Sequence, residues 1–207
     1  MALGAPYATL AQLKTRLGIT DANDDAALTS ALAAASLDLE GGCGRQFNDA
    51  GVTSARVYYP DDLVTAIVDD FSTTVGLIVA ADFSNAGTYT TTIAAANDQL
   101  EPLNGVVDGT PGWPFYRIRM IQTWWPLWLT SIGYPRTSIQ ITAQWGWAAV
   151  PAPVVEATLI LAEETFKMKD APYGVAGFGN YGAVRVRENP KVYDLVRRYI
   201  REPIQIA

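Results

Sequence analysis

The hydrophobic residues of this chain change their spacing twice, and few folds tolerate that. Leu10, Leu13 and Leu17 recur at helical intervals, as do Leu28, Leu32, Ala35 and Leu39. From about Val52 to Trp147 the pattern turns into short runs rich in β-branched and aromatic residues. These are Val57-Tyr58-Tyr59, Leu77-Ile78-Val79, Tyr89 to Ile93, Tyr116 to Ile121 and Ile139 to Trp145. Helical spacing returns with Val155, Leu159, Ala162 and Phe166, then with Val192, Leu195, Val196 and Tyr199. Helices this short are marginal alone. The two at each end are therefore expected to pack on one another, with the β block as an excursion between them.

Local signals place the boundaries. Thr9 and Gln12 form a T-x-x-Q capping box and Gly18 supplies a stop. After the turn Thr20–Asn23, the second helix opens near Asp24 and Asp25 and ends at Gly41-Gly42-Cys43-Gly44. Ser84-Asn85-Ala86-Gly87 and Asn104-Gly105 separate β runs. Pro151 and Pro153 suit a helix start. Asn189 and Pro190 read as N-cap and first residue of the last helix, which Pro203 ends. The expected class is α+β: a small bundle of two N-terminal and two C-terminal helices, residues 1–50 and 148–207, with an inserted antiparallel sheet or barrel-like block, residues 51–147.

Composition then excludes chemistry. The 207 residues contain no His and a single Cys, Cys43. A Ser–His–Asp triad, a His base, His-bearing zinc sites and an internal disulfide are all excluded. The net charge of -6 opposes tight binding to a polyanion. No stretch approaches the apolar run of a membrane span. The N-terminus shows no signal-peptide core. A soluble, intracellular, non-secreted protein is the expectation.

The remaining motifs are weak as chemistry. Gly177-Phe178-Gly179-Asn180-Tyr181-Gly182 matches G-x-G-x-x-G but lacks the strand before it and the helix directly after. It reads as a loop with aromatic tips at Tyr173, Phe178 and Tyr181. The doublets Asp61-Asp62, Asp69-Asp70 and Glu163-Glu164 make no facing dyad by themselves and read as turns or solvated faces. Trp124, Trp125 and Trp128 form a dense aromatic patch; subunit contact and sheet core are both open for it. Ala27, Ala31 and Ala34 make a smooth helix flank that lets another helix come close. Arg185, Arg187, Arg197, Arg198 and Arg201 gather positive charge near the C-terminus. No catalytic, cofactor-binding or metal-binding residue is expected.

The chain resembles the head-tail connector (head completion or adaptor) proteins of long-tailed bacteriophages. The residues that carry the resemblance are Tyr7-Ala8-Thr9-Leu10-Ala11-Gln12-Leu13-Lys14 with Leu17-Gly18-Ile19 and the acidic turn that follows. Cys43-Gly44-Arg45-Gln46-Phe47, and Pro151 to Lys169 followed by Asp170-Ala171-Pro172-Tyr173-Gly174, also belong to it. The β block resembles the elaborated versions found in phages of actinobacteria. The resemblance implies a non-enzymatic, dodecameric ring under the portal of a virion, assembled in the host cytoplasm and requiring no cofactor. Its expected partners are other copies of itself, the portal protein and the next neck or tail-completion protein. Genomic DNA would pass through its channel without specific binding, and no membrane would be involved.

On that expectation Val192, Leu195, Val196, Tyr199 and Ile200 anchor the last helix, either in the subunit core or against the portal. Arg197, Arg198 and Arg201 pair with portal acids. Tyr173, Gly174, Gly177, Phe178, Gly179, Tyr181, Arg185 and Arg187 reach a neighbouring subunit or the channel. Ala27, Ala31 and Ala34 pack between subunits, and the Trp124, Trp125 and Trp128 patch meets a partner. The competing expectation is a carbohydrate- or receptor-binding phage module built on that tryptophan-rich block.

Overall fold

The computed structural model describes residues 4–129, 131–168 and 189–201. The chain forms two compact units, Met1–Asn48 with Ala149–Ala207, and Asp49–Ala148. The class is α+β, with four α-helices and antiparallel sheets among the described residues.

The helical unit contains α1 (Leu10–Leu17), α2 (Asp25–Cys43), α3 (Ala152–Lys167) and α4 (Pro190–Val196). Thr9 caps α1 as a reciprocal box: its hydroxyl accepts the Gln12 N–H at 3.2 Å, and its own N–H donates to the Gln12 side chain at 2.8 Å. Helix α2 runs through Gly41 and Gly42 and stops only at Gly44, whose φ of 64° is the left-handed value a C-cap needs. Leu28, Leu32, Ala35 and Leu39 are buried in one row. Helix α3 departs from the expected single stripe. Ala157 to Ala162 are all buried, whereas Val155 is only half-buried, because α3 packs against α1, α2 and α4 at once. Helix α4 is shorter than its sequence suggests and passes into a 3-10 turn at Arg197–Tyr199. Arg16 on α1 ties the bundle together, reaching Glu156 at 2.9 Å and Glu163 at 2.6 Å on α3.

The β unit is built on two antiparallel sheets. The first has the order β1 (Thr53–Tyr58), β11 (Ile139–Gln144), β3 (Ile78–Ala81), β4 (Thr91–Thr92). The second has the order β2 (Thr65–Phe71), β8 (Phe115–Met120), β5 (Asp98–Glu101). Two short hairpins, β6 (Val106–Val107) with β7 (Thr110–Pro111) and β9 (Trp128–Leu129) with β10 (Pro135–Arg136), complete it. Alternation sorts the side chains: Ile139, Ile141 and Ala143 face inward, and Gln140, Thr142 and Gln144 outward. The inward faces share one core containing Val68, Phe71, Val79, Ile118, Trp125, Ile141 and Trp145, and a bridge between Phe71 and Trp145 joins the sheets. At Gly105 the turn requires the missing side chain: φ is 62°, and a Cβ would sit 2.9 Å from the Trp113 carbonyl oxygen.

Asp69 and Asp70 do not lie in a turn; they belong to β2, a strand the residue pattern hides, with the Asp69 side chain 46% exposed and Asp70 buried. Asp69 accepts from Arg56 at 2.5 Å and from the Tyr58 hydroxyl at 2.9 Å. Asp70 is buried and accepts the Trp147 indole N–H at 3.0 Å. Each carboxylate is thus compensated by donors from distant segments, which is what allows it inside a strand.

Candidate functional site

The end of the helical unit is organised around Phe47. Its ring meets Tyr7 edge-on at 5.5 Å and Tyr199 edge-on at 5.8 Å. The Tyr7 hydroxyl donates to Glu40 at 3.2 Å and accepts the Phe47 N–H at 3.2 Å, and the Tyr7 N–H reaches Ser36 Oγ at 3.0 Å. Burial, with the Glu40 carboxylate beside it, raises the Tyr7 phenol far above its ordinary value, so it stays a proton donor. Arg201 closes the cluster by donating its backbone N–H to the Cys43 carbonyl at 2.8 Å. Cys43 is buried there, and desolvation pushes its thiol up to about 11, which leaves it inert as a nucleophile.

Val192, Val196 and Tyr199 are buried in their own subunit, with Leu195 and Ile200 half-buried. They are therefore core residues and offer little surface to a partner. The Asn189 side chain caps the helix by accepting from Lys191 and Val192 N–H groups and donates to Glu164 at 2.9 Å. The helix and its closing turn present Lys191, Tyr193, Asp194, Arg197 and Arg198 outward; Arg201 is half-buried. Arg197 lies 3.8 Å from Asp194, and Arg198 leans over the Tyr199 ring at 5.6 Å.

The alanines of α2 divide similarly. Ala31 is buried, while Ala27 and Ala34 are exposed. With Ser30, Thr165 and Phe166 these three alanines line a shallow groove of about 230 Å³. In the β unit the tryptophans do not form one patch. Trp125 is wholly buried, Trp128 is half-buried and donates its indole N–H to the Asp82 carbonyl at 2.6 Å, and Trp124 stays 64% exposed. Tyr173, Gly174, Gly177, Phe178, Gly179, Tyr181, Arg185 and Arg187 lie outside the described residues. Among the described residues no group of three or more His, Cys, Asp or Glu could hold a metal ion, and no helix is long and apolar enough to cross a membrane.

Residues 7–102 match the family model of phage gp6-like head-tail connector proteins. That span holds α1, α2 and β1 to β5, and the resemblance drawn from the sequence is borne out over it. No curated protein matches the chain. Among solved structures, the chain is similar to one from the neck of an empty GTA particle computed with C6 symmetry. Identity is 20% and the TM-score 0.59, with 100% of this chain and 96% of that chain covered. A chain from the neck of a native GTA particle computed with C12 symmetry aligns at 17% identity and a TM-score of 0.58, again over 100% and 96%. A third, from the virion of a native gene transfer agent (GTA) particle, aligns at 19% identity and a TM-score of 0.55, with the same coverage. The chain is thus similar in fold to these neck chains.

Proposed function

We infer that this chain, which carries the gp6-like connector match over residues 7–102, is a head-tail connector in the neck of a phage-like particle. It works as a ring-shaped adaptor beneath the portal, extends the DNA channel and offers a platform to the next neck protein. The observation that carries this reading is the family match, and the whole-chain likeness to neck chains from assemblies of C6 and C12 symmetry supports it. A net charge of -6 fits a channel that lets a polyanion slide. Arg197 and Arg198, exposed at the end of α4, with Arg201 beside them, are the residues that pair with acids on the portal. The groove at Ala27, Ala31 and Ala34 fits close packing by a neighbouring subunit.

Mixing the full chain with portal-bearing heads tests this. A symmetric ring at the portal vertex is expected, and Arg197→Glu with Arg198→Glu lowers its occupancy while leaving the fold intact. A chain that stays off the vertex and remains monomeric with portal present overturns the reading.

A further inference from the structure

We propose that the outer face of the four-stranded sheet is a contact between copies of this chain, made by one β unit against that of the next; this rests on the ring reading above. The argument is one of charge. Across β1, β11, β3 and β4 there is a single charged residue, Arg56. It is turned away from the outer face, with its guanidinium over the Trp145 ring at 4.6 Å and bound to Asp69 at 2.5 Å. The outer face itself presents Ala55, Val57, Ile78, Thr92, Gln140 and Thr142. Val57 is 47% and Ile78 50% exposed.

The second sheet of the same unit shows what a solvated face looks like here. Its outer side carries Arg117 and Arg119, both 3.3 Å from Glu101. The outer face of one sheet therefore meets water with ion pairs, and that of the other, of comparable size, presents no charged side chain. Interface cores are depleted of charge in this way, with polar groups at the rim. The rim is present: Asp49 at the sheet edge holds the Gln144 amide at 2.9 Å and 2.8 Å.

The identity of the occupant follows from the unit's own charge. Residues 49–148 contain four arginines against nine carboxylates, a formal charge of -5 out of the chain's -6. A basic partner would be recruited by that charge and would meet a charged surface. A second copy of so acidic a unit is repelled by it, so the only contact it can make cheaply is one free of charge. The face spans on the order of 300 Å² at usual strand spacings, well below the roughly 800 Å² per partner of a stable complex. It therefore acts as part of a larger subunit contact, as in a ring, and not as a free-standing dimer.

The test uses the full chain, with ring formation on portal-bearing heads read by mass and by imaging. Val57→Glu, at an exposed strand position, and Thr142→Glu, at a half-buried one, place charge on the face and are expected to weaken ring assembly roughly tenfold or more each. Val57→Thr keeps the face neutral and keeps the ring, which separates charge from folding. Ala86→Glu, on an exposed loop, is expected to change nothing. Intact rings from the two glutamate variants overturn this face as a contact and leave the connector reading standing. Failure of the unmodified chain to form any ring overturns both.

Discussion

Tyr199 meets Phe47 edge-on at 5.8 Å, so a residue of the last turn completes a cluster begun by the first helices. Both side chains are buried, Phe47 completely. Removing the ring by Tyr199→Ala should cost about 3–5 kcal/mol, whereas Tyr199→Phe should stay close to neutral. Denaturant unfolding of the two variants checks this. Equal stability would mean that the C-terminal turn is not part of the core.

Asp98 sets a pH dependence in the β unit. It lies on the same side of β5 as Leu100, which packs against the core, and pairs across the sheet with the buried Met120. Desolvation raises its carboxyl to about 6. The unfolded chain releases this proton near pH 4; the folded chain holds it until about 6. Stability therefore falls as pH rises through that window and is flat above it. Asp98→Asn should remove the slope and stabilise the protein at neutral pH. After allowance for partial exposure the gain is on the order of 1 kcal/mol. Thermal melts at several pH values would read both effects.

The Arg16 pairs with Glu156 and Glu163 predict the opposite slope in the helical unit. Hydrogen bonds from Lys167 and Arg16 hold the Glu163 carboxyl below its ordinary range. Its contribution is complete above the ordinary carboxylate range and is lost as pH falls through the lowered folded value. Arg16→Ala should cost about 1 kcal/mol or less, given the exposure of the pairs, and the loss should shrink in high salt. An acid-unfolding midpoint that is unchanged in Arg16→Ala would contradict the assignment.

Neighbouring tryptophans should behave in opposite ways. Trp125→Ala opens a cavity in the core, at a cost of about 3–5 kcal/mol. Trp124→Ala changes an exposed side chain and should stay within about 0.5 kcal/mol. Acrylamide quenching of single-tryptophan variants is the complementary measurement: Trp124 should be accessible and Trp125 protected.

Much of this fold is legible where the determining rule is local. The Thr9–Gln12 box, the stop at Gly44 and the Asn189 cap each depend on a few adjacent residues, and each appears where the sequence places it. The phase of α3 escaped because a helix packed against three others buries a broad face that no single stripe defines; Val155 fits the expected spacing, yet Val154 is the one fully buried. Strand β2 escaped because Asp69 and Asp70 interrupt its β pattern, and the donors that make them tolerable lie on Arg56, Tyr58 and Trp147.

Surfaces are harder to read than cores. Adjacent Trp124 and Trp125 turn to different environments, and no one-dimensional pattern says which enters the core. The neutral sheet face emerges only once β1 is paired with β11, residues far apart in the chain. The outward set on α4 and its closing turn could be read because the apolar positions are regular, leaving Lys191, Tyr193, Asp194, Arg197 and Arg198 as the remainder.

The interruption of the helical unit by the β unit has a consequence for synthesis. When α2 has left the ribosome, its partner α3 lies roughly 110 residues behind, about 5–20 s of translation at ordinary speeds. The β strands, whose partners all lie within residues 53–144, can complete their sheets during that delay. Leu28, Leu32 and Leu39 meanwhile have no finished core to enter. The nascent chain therefore carries a greasy helix that must be kept from aggregating, and chaperone demand should peak just before α3 emerges.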